Sequence, residues 1–109
     1  MFKPSLIVTI VRKGWGNTVL DASVKAGAEG GTLLFGRGAG IHEQEKILGI
    51  PIEPEKEIVL TVTHSDRVEA ILEGISRAVD LNAPGRGLAF VISLEKVIGV
   101  SHFEDKKSQ

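Results

Sequence analysis

Apolar positions along the chain fall into two patterns. Leu6-Ile7-Val8-Thr9-Ile10-Val11 is a nearly unbroken, mostly β-branched run. A strand with one wet face alternates; a continuous run predicts a strand covered on both faces, by its own fold or by another subunit. Thr32-Leu33-Leu34-Phe35, Ile58-Val59-Leu60-Thr61-Val62-Thr63 and Leu88-Ala89-Phe90-Val91-Ile92-Ser93-Leu94 predict a second, third and fourth strand. Between them the period changes. After a loop at Lys13-Gly14-Trp15-Gly16, the stripe Val19, Leu20 and Val24 predicts a helix, with Asn17 as its cap and Gly27 in the left-handed position that ends it. Val68, Ile71, Leu72, Ile75 and Val79 keep a 3.6-residue period and predict a second helix, capped by Ser65 with Asp66 well placed for the dipole. Glu95–Val100 reads as a turn and short edge strand, and residues 102–109 as a polar, flexible tail.

The element order is βαββαβ. Right-handed crossovers leave few arrangements, and the natural one is an α+β, ferredoxin-like sandwich: an antiparallel sheet with two helices on one face. The opposite face would then be bare. Its strands are apolar at almost every position, so they predict burial against further copies, which cyclic assembly supplies.

Composition bounds the rest. A length of 109 residues and one uninterrupted pattern predict a single domain, 1–109. With no cysteine there are no disulfides, thiolate metal sites or cysteine nucleophiles. Thirteen basic against fourteen acidic residues give a net charge of −1, which argues against a nucleic-acid partner. No apolar run approaches a membrane span, and Met1-Phe2-Lys3-Pro4 does not open a signal peptide, so the expected location is the cytoplasm.

The thirteen glycines carry the candidate chemistry. Gly36-Arg37-Gly38-Ala39-Gly40 follows the second strand, and Gly85-Arg86-Gly87 precedes the fourth inside a turn at 82–88. Each offers main-chain amides and close approach, with Arg37 and Arg86 as cationic forks suited to phosphate. The plainer reading is tight turns with solvated arginines. Residues 41–57 hold five acids, two bases and two prolines, so 38–56 reads as a long projecting loop, a kind that is usually functional. Within it, Ile47-Leu48-Gly49-Ile50-Pro51-Ile52 is an apolar patch that folds back, packs across subunits or docks a partner. His42, Glu43 and Glu45 form a weak candidate metal cluster, more simply a solvated acidic loop. His64 reads as helix-start structure, His102 as exposed, and Trp15 as a packing or subunit-contact residue before a ligand platform. No nucleophile–base pair is discernible, so the chain is not expected to be an enzyme.

Several of these segments, in their order, resemble the P-II nitrogen-regulatory family over residues 5–100. Gly30-Gly31-Thr32 resembles the family's Gly-Met-Thr. Gly38-Ala39-Gly40 resembles the Gly-Phe-Gly that opens its mobile T-loop, here shortened. Glu57-Ile58-Val59 resembles the strand closing that loop, and Gly85-Arg86-Gly87 with Phe90-Val91 the B-loop. The resemblance implies a homotrimer that binds an adenine nucleotide (ATP, ADP, AMP or a cyclic form) in clefts between subunits. It implies a small-molecule effector and a T-loop that docks on an enzyme or membrane transporter, in nitrogen metabolism.

Carried over by position, the nucleotide-binding residues are Thr32, Gly38, Gly40, Ile58, Val59, Gly85 and Gly87; Arg37 and Arg86 join them as the chain's own cationic candidates, in compensation for family cations it lacks. The partner-binding residues are His42, Glu43, Ile47, Leu48 and Ile50. The chain departs from the pattern at Leu88, which replaces the B-loop lysine, and at Gly99-Val100-Ser101, which replaces a phosphate-clamping Arg-x-Arg. Ile41 and His42 replace an arginine and a glutamine. With no tyrosine anywhere, loop uridylylation is ruled out. The alternative reading is a trimeric ferredoxin-like metal-binding or tolerance protein, or a small enzyme.

Overall fold

The computed structural model describes residues 3–39, 45–47, 50–52 and 54–100. Six strands and two helices follow in order: β1 Pro4–Arg12, α1 Gly16–Lys25, β2 Thr32–Arg37, β3 Glu45–Ile47, β4 Ile50–Ile52, β5 Glu55–His64, α2 Val68–Val79 and β6 Gly87–Ser93. A 3-10 turn, Ser65–Arg67, leads into α2. The main sheet has the order β2-β5-β1-β6, with all three pairings antiparallel. This is the βαββαβ sandwich that the periodicity predicts. The strands β3 and β4 form a separate two-stranded sheet.

Register divides the main sheet into two faces. Ile7 and Val11 on β1 and Val59 on β5 are fully buried with Val19, Ile71 and Ile75 beneath the helices. The opposite face carries Val8, Ile10, Leu34, Ile58, Leu60, Leu88, Phe90 and Ile92, and no helix among the described residues covers it. Every position of that stripe is aliphatic or aromatic, which explains why the strands read as continuous apolar runs.

Four local expectations are corrected. Asn17 does not cap α1. The cap position is Trp15 and the helix starts at Gly16, two residues earlier, where the Gly16 amide donates to Glu57 Oε1 at 2.7 Å in a buried contact. A carboxylate on β5 thus replaces the local cap. Ser65 does not cap α2 either; it opens the 3-10 turn, where its hydroxyl meets Ser5 Oγ and Lys3 O. Val24 lies exposed on the outer side of α1, and the buried position on that turn is Ser23. Glu95–Val100 forms no strand. Leu94 donates to the carbonyl of Pro4, and proline has no N–H with which to extend the ladder.

The loop expected over 38–56 is shorter and less irregular. β2 runs through Arg37, β5 begins at Glu55, and the hairpin β3–β4 lies between them with Ile47 opposite Ile50. Gly27 does terminate α1, at φ +121° with its amide on Val24 O. Among the described residues, no helix is long and apolar enough to cross a membrane.

Candidate functional site

The ends of β2 and β5 form a neck. Arg37 pairs with Glu55 at the last ladder position, the Gly38 amide donates to Pro54 O at 3.2 Å, and Lys13 donates its amide to Glu55 O at 3.2 Å. Side chains repeat the closure: Lys13 Nζ lies 2.9 Å from Glu55 Oε2. The hydrogen bond and charge of Glu55 raise the Lys13 pKa, and those of Lys13 lower that of Glu55. A cavity of about 490 Å³ opens here, lined by Lys13, Phe35, Gly36, Arg37 and Glu55. Phe35 is 69% exposed, an aromatic face beside two cations.

The second glycine segment lies at the same end of the sheet and on the other edge. Here the turn at 82–86 delivers the chain into β6, with Gly85 at φ +77° and Gly87 at φ +139°. Gly87 has a packing reason of its own. A Cβ there would sit 2.4 Å from the Ile10 carbonyl oxygen, because β6 approaches β1 closely at that point. The Arg86 guanidinium stands 5.0 Å over the Trp15 ring. A cavity of about 230 Å³ opens beside this pair, lined by Trp15, Thr18, Ala78, Val79, Asp80 and Arg86.

The structure therefore distributes the sequence-derived residues over two rims. Arg37 and Gly38 stand at the neck; Gly85, Arg86 and Gly87 stand three strand spacings away, about 14 Å. Arg37 and Arg86 do not converge within one chain. Ile58 faces the bare side of the sheet, whereas Val59 is sealed in the core under the helices. β5 is an interior strand, not a sheet edge. Thr32 begins β2 opposite Leu60, midway along β5 and on the bare face with Ile58. Gly40, His42, Glu43 and Leu48 lie outside the described residues, as does His102. Ile47 and Ile50 pair across the hairpin. Among the described residues, no three carboxylate or imidazole groups gather as a metal site.

Sequence reasoning missed Phe35, Lys13 and Glu55 at the neck, and Thr18 and Asp80 at the second cavity. Phe35 had a signal. It is a bulky aromatic directly before Gly36-Arg37, where the strand leaves the cover of α1.

An antiparallel β2-β5-β1-β6 sheet with two helices on one face defines a ferredoxin-like protomer, and its candidate residues stand on opposite rims beside an apolar face that no described helix covers. The chain belongs to the P-II family: the family model described as Nitrogen regulatory protein P-II matches residues 5–104. Among solved structures, it is similar to PII of Arabidopsis thaliana bound to citrate. The two are 26% identical, with a TM-score of 0.70, and the match covers 92% of this chain and 85% of that one. No curated protein sequence matches the chain. Proteins of this family are regulatory signalling proteins that form trimers and respond to small-molecule effectors.

Proposed function

We propose that the protein is a homotrimeric regulator that binds an adenine-type nucleotide between adjacent copies and controls a partner protein through residues 38–56. One observation carries the reading: two glycine-bearing rims stand at the same end of the sheet but on opposite edges, next to a bare apolar face. Packing three such faces around an axis sets the β2 edge of one copy beside the β6 edge of the next. The cleft so made is lined by Arg37 and Gly38 from one copy and Gly85-Arg86-Gly87 from its neighbour. Ile58 and Thr32 border it, and Val59 supports it from within the core.

Arg37 is the leading phosphate partner at the neck. Arg12 and Lys56, opposite each other on β1 and β5, add positive charge at the same end of the sheet. Arg37, with Arg86 of the neighbouring copy, stands in for the phosphate-binding cations that Leu88 and Gly99-Val100-Ser101 do not supply. A citrate-bound relative supports a small polyanionic ligand in this fold.

Signalling follows from the neck. A ligand that binds one arrangement of Gly38 and Arg37 better than another shifts the population of everything beyond them. His42, Glu43, Ile47, Leu48 and Ile50 would then meet the partner, an enzyme or transporter of nitrogen metabolism reached from the cytoplasm. The protein acts by binding and not by catalysis.

Calorimetry with ATP, ADP, AMP and cyclic dinucleotides tests this, alongside sedimentation of the free chain. A trimer that binds at least one of them, at least tenfold more weakly as Arg37→Ala, is expected. A monomer, or no heat from any nucleotide, overturns the reading.

A further inference from the structure

The cavity between Trp15 and Asp80 stands apart from the neck and has an electrostatic character of its own. The two helices lie antiparallel on the sheet, so the start of α1 meets the end of α2. Thr18 belongs to the first turn of α1, and Ala78, Val79 and Asp80 end α2. One wall therefore carries the positive pole of a helix and the other wall a negative pole.

Side chains strengthen both poles. Arg86 stands on the positive side, held over the indole of Trp15 at 5.0 Å. No acidic residue occupies the first turn of α1. The Gly16 amide is taken by Glu57, whereas the Asn17 and Thr18 amides have no partner among the described residues. On the negative side, Asp80 adds a carboxylate at the C-cap of α2. It is held in a left-handed conformation, φ 52° and ψ 56°, and is the one described non-glycine residue with positive φ. Arg86 and Asp80 line one cavity, yet no ion pair between them is formed.

Two uncancelled poles across about 230 Å³ select a small ligand with its own two charges. A nucleotide is too large, since cavities for such ligands start near 300 Å³. A simple anion would meet Asp80, and a simple cation would meet Arg86. We propose that this cavity binds a free α-amino acid, its carboxylate at Arg86 and the first turn of α1, its ammonium at Asp80 and the last turn of α2. The Thr18 hydroxyl and the indole edge border the ligand. Arg86 also borders the proposed nucleotide cleft, whereas Asp80 and Thr18 do not, so Asp80→Asn tests this cavity independently of that cleft.

The chain supplies its own probe. Trp15 is the only tryptophan and there is no tyrosine, so intrinsic emission reports on this cavity. The full-length protein is titrated with L-alanine, L-serine and L-glutamate, following fluorescence and, in parallel, heat. Propionate and propylamine, each with one charge, are the controls, and γ-aminobutyrate tests charge spacing. Saturable binding of at least one α-amino acid, at least tenfold tighter than either one-charge control, is expected. Asp80→Asn and Arg86→Gln should each weaken it at least tenfold, with unchanged circular dichroism. Absence of any saturable response in either readout up to about 10 mM overturns the proposal, as does propionate binding as well as L-alanine. Wild-type affinity in both variants overturns it equally; the wild-type titration with its controls decides the matter even if a variant misfolds.

Discussion

Phe90 tests the link between the uncovered sheet face and assembly. Its ring lies on that face opposite Val8, 43% exposed in the isolated protomer, beside Leu88 and Ile92 at 52 and 45%, with Leu34 at 38% on the far edge strand of the same face. A phenylalanine offers roughly 200 Å², so about 85 Å² of Phe90 is available for burial between copies. At about 25 cal/mol per Å², Phe90→Ala forfeits about 2 kcal/mol per protomer and about 6 kcal/mol per trimer. For a three-body equilibrium the midpoint concentration scales as the square root of the dissociation constant, so it should rise about a hundredfold. The protomer itself should persist, because its core lies under the helices on the other side of the sheet. Sedimentation equilibrium over a wide concentration range reads the midpoint, and far-ultraviolet circular dichroism reads the fold. A midpoint that moves less than threefold while the fold persists refutes the claim that this face is the assembly surface.

Other substitutions probe the protomer. Gly87→Ala places a methyl 2.4 Å from the Ile10 carbonyl at φ +139°; strain and overpacking should together cost about 2–4 kcal/mol in urea denaturation. Thr61 is fully buried with its hydroxyl unpartnered, so Thr61→Val should raise the denaturation midpoint by the equivalent of about 1 kcal/mol. The Lys13–Glu55 pair should respond to pH with a definite sign. Glu55 is held below its ordinary pKa, so its contribution is present above the unfolded value and is lost as acid takes the pH through the lowered folded one. Lys13 is held above its own, so its contribution is complete below the unfolded value and is lost as pH rises through the raised one. Both groups are exposed, so any destabilisation in Lys13→Ala should be small at neutral pH, should fade with salt, and should vanish in acid.

The four long strands and both helices were legible because each buries a face with the period of its element: Ile7 and Val11 on β1, and Ile71, Ile75 and Val79 on α2. The bare face was legible for the same reason, since β1 and β6 are apolar on both sides. What stayed hidden acts across the chain. Nothing near Asn17 indicates that the acceptor for α1 comes from Glu57, 41 positions after Gly16. Trp15 and Arg86 are distant in sequence and meet only because α1 starts, and the turn at 82–86 ends, at one end of the sheet. The hairpin escaped notice because Gly49, Pro51 and Pro54 read as breakers, whereas β3 and β4 need only three residues each. The glycine segments were found as sequence features, but their separation on opposite edges follows from strand order, which no local pattern encodes.

Among the described residues, the ribbon of β3 and β4 hydrogen-bonds to itself and forms no ladder with the main sheet. Two short strands with no third neighbour are close to the limit of self-sufficiency in water. A structure held so near balance is inexpensive to rearrange, and a bias of about 1.4 kcal/mol exerted where Gly38 meets Pro54 changes the ratio of two arrangements tenfold. In the proposed role of residues 38–56, sensitivity comes from how little this ribbon holds itself together: a weakly bound metabolite would suffice to set it, and a sturdier sheet would not respond.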